Sequence, residues 1–114
     1  MIKLMPILIL LCCSCAYRAP AWHGTMRDIG RKPYVPVEND CLDKAQDFQE
    51  KHDGYILHVT QQFTEVTHAL NHIDGWVIDC TRGRYYKIWD TVEETVHLYY
   101  GGRIINYNYI ERIR

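Results

Sequence analysis

Glu65-Val66-Thr67-His68-Ala69-Leu70-Asn71-His72-Ile73-Asp74-Gly75-Trp76-Val77-Ile78-Asp79-Cys80 reads as two strands around a two-residue loop. Asp-Gly between two such runs is a type I′ hairpin signal. A two-residue loop sets the register. Ile73 stands opposite Trp76, His72 opposite Val77, Leu70 opposite Asp79 and His68 opposite Thr81. Side chains alternate along a strand, so Val66, His68, Leu70, His72, Val77 and Asp79 share one face and Cys80 points to the other. His68 and His72 are both diagonal neighbours of Asp79, within reach of a side-chain pair. Aspartate is a poor strand residue, and a partner histidine would account for it. The bland readings are a half-buried histidine that only donates a hydrogen bond and a carboxylate that caps a turn. The spacing does not choose between the two histidines.

Working outward, the segment upstream supplies a nucleophile. Asn39 or Asp40 can cap a helix running from about Cys41 to His52. Leu42, Ala45, Phe48 and Gln49 fall near helical spacing, and His52-Asp53-Gly54 closes the pattern with a glycine. Cys41 therefore sits in the first turn. Free N–H groups and the helix dipole there favour a thiolate, the reactive form, and could hold a developing oxyanion. The charge of Asp40 opposes this unless it faces away. Cys41, a histidine and Asp79 then have the order of a thiol nucleophile, its base and the group that orients the base.

Asp40-Cys41-Leu42-Asp43-Lys44-Ala45 at a helix start, His68-Ala69-Leu70 in a strand and Ile78-Asp79 in the next strand together resemble the bacterial transglutaminase-like cysteine proteinases. These belong to the wider transglutaminase-like and papain-like superfamily. The resemblance covers Asn39 to about Gly83. It implies an α+β papain-like core and a catalytic set of Cys41, His68 and Asp79. Cys41 would attack an amide carbonyl, His68 would move the proton and Asp79 would orient His68. Periplasmic proteases of this family also bind calcium near the cysteine. Asp40 and Asp43 match that motif, but Leu42 stands where an acidic residue is common, so the expectation is no cofactor, with calcium the one the motif would suggest. A peptidoglycan amidase family also places a cysteine after aspartate at a helix start. Its Asp-Cys-Ser-Gly pattern is departed from here at Leu42-Asp43.

Other uses of the same residues compete with catalysis. Cys41 and Cys80 could form a disulfide in an oxidising compartment. Alternation disfavours that bond if Cys41 packs on the Asp79 face. A zinc set of Cys41, His68, His72 and Cys80 meets the same obstacle. Arg82 and Arg84 around Gly83 make a local basic spot that could receive a carboxylate or simply form a solvated turn. There is no glycine-rich phosphate loop. Lys+Arg 13 against Asp+Glu 14 gives a net charge of −1, so no basic field points to nucleic acid.

The start of the chain reads differently from the rest. Met1-Ile2-Lys3 precedes an apolar run from Leu4 to Leu11, too short to span a bilayer as a mature helix and suited to a secretory signal. Cys12, Cys13 and Cys15 follow at once. Ser14 before Cys15 resembles a bacterial lipoprotein signal, with Cys15 as the lipidated first residue. Ordinary cleavage after Ala16 is the competing reading. The expected layout is a signal peptide over 1–15, a tether or N-terminal strap over 16–40 with Pro20, Pro33 and Pro36, and a hydrolase domain over 41–114. Within that domain a strand from Tyr55 to Gln61 precedes the hairpin. Tyr85 to Trp89 reads as a short strand, and Asp90 to Glu94 as a helical turn. Val96 to Tyr100 and Arg103 to Tyr107 read as a second hairpin around Gly101-Gly102. Nine tyrosines suit half-buried strands first and glycan-facing surfaces second.

The expected fold is α+β: a minimal papain-like core with one N-terminal helix packed on an antiparallel sheet. The expected protein is exported, periplasmic or held at a bacterial membrane by lipid on Cys15. It would act as a cysteine peptidase or amidase on a protein or peptidoglycan amide. The alternative is a non-catalytic exported structural or binding lipoprotein that retains the fold; a phage- or plasmid-encoded surface lipoprotein would fit the size.

Overall fold

The computed structural model describes residues 20–36, 40–61 and 67–108. The export segment with Cys15, the cap candidate Asn39, the face residue Val66 and the chain after Asn108 lie outside them. Strands β1 (Tyr55–Thr60), β2 (Thr67–Ile73), β3 (Trp76–Asp79), β4 (Arg84–Lys87) and β5 (Ile104–Tyr107) form one antiparallel sheet in the order β4-β3-β2-β1-β5. Helices α1 (His23–Arg31) and α2 (Cys41–His52) cover one face, and α3 (Val92–Tyr100) covers the other. The protein is α+β. No helix among the described residues is long and apolar enough to cross a membrane.

The hairpin has the expected register, with Ile73 on Trp76, His72 on Val77 and Asn71 on Ile78. Its loop differs in detail. Asp74 alone takes the left-handed conformation, at φ 51°, and Gly75 does not. A type I′ turn needs both. The two-residue length, which sets the register, is unchanged.

Alternation sorts the sheet into two apolar faces. Leu57, Val59, Leu70 and Val77 pack against Val96 and Tyr100 of α3. Ile56, Ala69, Ile78 and Cys80 face the other way, onto Leu42, Ala45 and Phe48 of α2 and onto α1. Each fully buried large apolar side chain here contributes about 1.5–3 kcal/mol. Asn71 is buried among them because its Nδ2 donates to the Ala45 carbonyl at 2.9 Å. The body of α2 thus lies on the Cys80 face, not on the face that carries His68 and Asp79.

Two expectations need correction. The strap over 16–40 contains a core helix, so the folded unit begins well before Cys41. Trp22, Met26 and Ile29, spaced by four and three, line the inward side of α1 and are buried against Phe48, Ile78 and Cys80. Trp22 meets Phe48, Trp76 and Tyr85 edge to face. The buried Lys44 reaches from α2 to the Lys32 carbonyl at 2.8 Å and ties the two helices together. The second hairpin is also corrected, because residues 92–100 are helical. Thr91 accepts the Glu94 N–H at 3.1 Å, and Gly101 ends the helix at φ 68° with its N–H on the His97 carbonyl. These are a start cap and a left-handed stop. β5 pairs with β1 instead.

Candidate active site

Asp40 is the residue that caps α2. Its Oδ1 accepts from Leu42 N at 3.1 Å and Asp43 N at 3.2 Å, and Asp43 Oδ2 accepts from Asp40 N at 3.2 Å. This reciprocal box fixes the direction of the first turn and therefore of Cys41, the first helical residue. It also uses up N–H groups expected to serve an oxyanion. Lys44 N bonds the Asp40 carbonyl, so of the first-turn donors only the Cys41 N–H is taken by none of these bonds.

His68 is the second residue of β2 and Asp79 the last of β3. Both lie just beyond the Asn71–Ile78 rung. His68 Nε2 stands 3.1 Å from Asp79 Oδ2, with side chains 9 % and 0 % exposed. The ring N–H is not aligned for a hydrogen bond, so the contact is chiefly an ion pair. Asp79 takes two well-aligned bonds besides: Tyr100 Oη donates to Oδ2 at 2.7 Å, and Arg82 N donates to Oδ1 at 3.0 Å. With Nε2 directed at Asp79, Nδ1 is the ring nitrogen left for the thiol. Cys41 hydrogen-bonds His68, and the Ala69 N–H donates to its sulfur.

The electrostatics of the three groups agree in direction. Burial works against charge at each of them and is outweighed each time. Burial raises the Cys41 thiol, but the His68 hydrogen bond, the Ala69 N–H and the His68 charge bring it below its ordinary value; Asp40 opposes most weakly. Burial lowers His68, but Asp79 and Cys41 lift it from 6.5 to about 9. Burial raises Asp79, yet His68, Tyr100 and the Arg82 N–H hold it below the usual carboxylate range. Opposite shifts on a thiol and its imidazole describe a thiolate–imidazolium pair.

The second histidine lies elsewhere. His72 pairs its Nδ1 with the Tyr107 hydroxyl and its Nε2 with the Asp74 carbonyl at 3.0 Å. It borders a cavity of about 510 Å³ at the turn end of the hairpin, whose lining contains no cysteine, serine or lysine. Cys41 and His68 instead open on a cleft of about 250 Å³, with Tyr34, His58 and Thr67 among its walls. The larger cavity therefore does not mark the chemistry. Cys41 and Cys80 are both free thiols. Cys80 is buried on the opposite face with its Sγ 3.7 Å from Asn71 Oδ1, and burial, aided by Asp79 and Asp47, pushes its thiol up to about 12. A zinc set that spans both faces does not form, and no group of three or more His, Cys, Asp or Glu among the described residues could hold a metal. The Asp40–Asp43 motif that would suggest calcium is engaged in the helix cap. One oxygen of each carboxylate accepts from backbone N–H groups of the cap and first turn, and Leu42 is buried.

Two residues of the site escaped the sequence reading. Tyr100 reaches Asp79 from α3. Thr91-Val92-Glu93-Glu94 followed by Gly101 was the signal for that helix, and tyrosine's strand preference obscured it. His58 sits opposite Ala69 in the β1–β2 ladder, and that register brings it to the cleft. Burial lowers its pKa, so it is held neutral near pH 7.

No protein-family model, no curated protein and no solved structure matches the chain.

Proposed function

We propose that this protein is a cysteine amidohydrolase of the transglutaminase-like kind, acting on a peptide or peptidoglycan amide. The observation that carries this reading is the His68 ring between the Cys41 thiol and the buried Asp79 carboxylate, with thiol and imidazole shifted in opposite directions. The Cys41 thiolate attacks the amide carbonyl carbon, and the carbonyl π electrons move onto oxygen, beside the Cys41 N–H. As the C–N bond breaks, the His68 imidazolium gives its proton to the leaving amine and a thioester remains. Neutral His68 then takes a proton from water, the hydroxide adds to the thioester carbonyl carbon, the C–S bond breaks to return the Cys41 thiolate beside the His68 imidazolium, and the acid product leaves. An amine in place of water gives transamidation. Asp79 keeps Nε2 protonated throughout, so Nδ1 does the work.

The test uses peptide anilides and muropeptides, with the intact mass of the protein read during turnover. An acyl adduct on Cys41, absent in Cys41→Ser, supports the reading. No adduct, no amide cleavage and a thiol no more reactive than Cys80 would overturn it in favour of a non-catalytic protein that retains the fold. We further infer export with lipid on Cys15, from the apolar run Leu4–Leu11 and Ser14-Cys15. Mass spectrometry of the mature N-terminus checks this. A chain beginning at Tyr17 would mean simple secretion, and an intact Met1 would exclude export.

A further inference from the structure

We propose that His58 is a catalytic residue, the second hydrogen-bond donor to the oxyanion formed when Cys41 attacks an amide. The proposal rests on the amidohydrolase reading above. An oxyanion is stabilised by preorganised donors aimed at the place where its charge develops. The cap bonds of Asp40, Asp43 and Lys44 leave the Cys41 N–H as the one first-turn donor they do not take. That single donor needs a partner.

The sheet register supplies one on the right side. His58 stands opposite Ala69 in the β1–β2 ladder. Opposed side chains share a face, with Cβ atoms about 5 Å apart. That face carries Ile56 and Ala69, and α2 covers it with Leu42 and Ala45. Cys41 packs against the same group, and the Ala69 N–H donates to its sulfur. Cys41 and His58 accordingly line one cleft of about 250 Å³. His68 leaves β2 from the opposite face, toward Asp79. A carbonyl carbon at the Cys41 sulfur thus meets the base from one side and His58 with the Cys41 N–H from the other. Proton transfer and oxygen stabilisation then fall to different rings. Burial lowers the pKa of His58, and a neutral imidazole donates through its N–H without adding a positive charge beside the His68 imidazolium. Of the other polar walls, Tyr34 and Thr67 are exposed to water and Asp40 is engaged in the helix cap.

The test compares His58→Phe, which keeps a ring on the strand but donates nothing, with His58→Gln, which keeps a donor. Acylation of Cys41 by a peptide anilide is timed by intact mass, and alkylation by iodoacetamide is timed on the same proteins. Displacement of iodide builds no oxyanion, so alkylation reads the Cys41–His68 pair alone. His58→Phe should acylate about a hundredfold more slowly, and His58→Gln should recover about tenfold of that loss. KM should change little, and both variants should alkylate at the wild-type rate. Wild-type acylation in His58→Phe, no recovery in His58→Gln, or parallel losses of acylation and alkylation overturns the proposal and leaves the Cys41 chemistry standing. A wild-type protein that forms no acyl adduct overturns the amidohydrolase reading, and this proposal with it.

Discussion

Asp79→Asn removes one charge from the middle of the site while keeping its shape. In the native protein the carboxylate stands 3.1 Å from His68 Nε2 and accepts from Tyr100 Oη and Arg82 N. It is the largest influence lifting His68 from 6.5 to about 9 against burial. A histidine whose folded pKa is raised adds stability that is fully present below the unfolded value of 6.5 and is lost as pH rises through about 9. At about 1.4 kcal/mol per pH unit, that contribution is about 3 kcal/mol. Asparagine can still accept the Arg82 N–H, but its NH2 group cannot attract the imidazolium. With burial unopposed by a carboxylate, His68 should titrate below the native value. Relative to wild type, the variant should lose about 3 kcal/mol more at about pH 6 than at about pH 10. The Tyr100 bond, which loses its charged acceptor, adds a cost that does not vary over this range. Urea denaturation at several pH values reads the difference, and NMR of the His68 ring protons reads the titration directly. A difference between the proteins that is flat with pH, or a wild-type His68 titrating near 6.5, would refute the reasoning.

Three further outcomes are expected. His68→Ala should slow alkylation of Cys41 by iodoacetamide about thirtyfold near pH 7, since an unassisted thiol is only a few per cent ionised there; His72→Ala, which touches Tyr107 and the Asp74 carbonyl, should leave the rate unchanged. Tyr100→Phe should cost about 2 kcal/mol, the worth of a buried hydrogen bond to a charged group, lower the melting temperature measurably and move the His68 titration. Gly102→Ala should cost about 1–3 kcal/mol or more, because its Cβ would fall 1.6 Å from the Thr60 carbonyl oxygen where β1 meets the strand that follows; Gly24→Ala in α1, with nothing within 4 Å, should instead raise thermal stability by about 0.5–1 kcal/mol.

The sequence by itself determined the local geometry. Asp74-Gly75 and the alternation around it set the hairpin register, and Asp40 set the start of α2, because loop length and a capping carboxylate act within a few residues. Those two facts alone put Cys41 in a first turn and both His68 and His72 within reach of Asp79. Tertiary structure decided which histidine stands beside both Asp79 and Cys41. Leu42 and Ala45 pack against Ile56 and Ala69, which brings the N-terminus of α2 to the open end of the hairpin, beside His68 and away from the turn where His72 lies. It also decided that Trp22, Met26 and Ile29 belong to the core and that Tyr100 reaches Asp79. Each depends on residues far apart in the chain, where burial of an apolar face overrides local preference, and no periodicity within one segment records which partner will cover it.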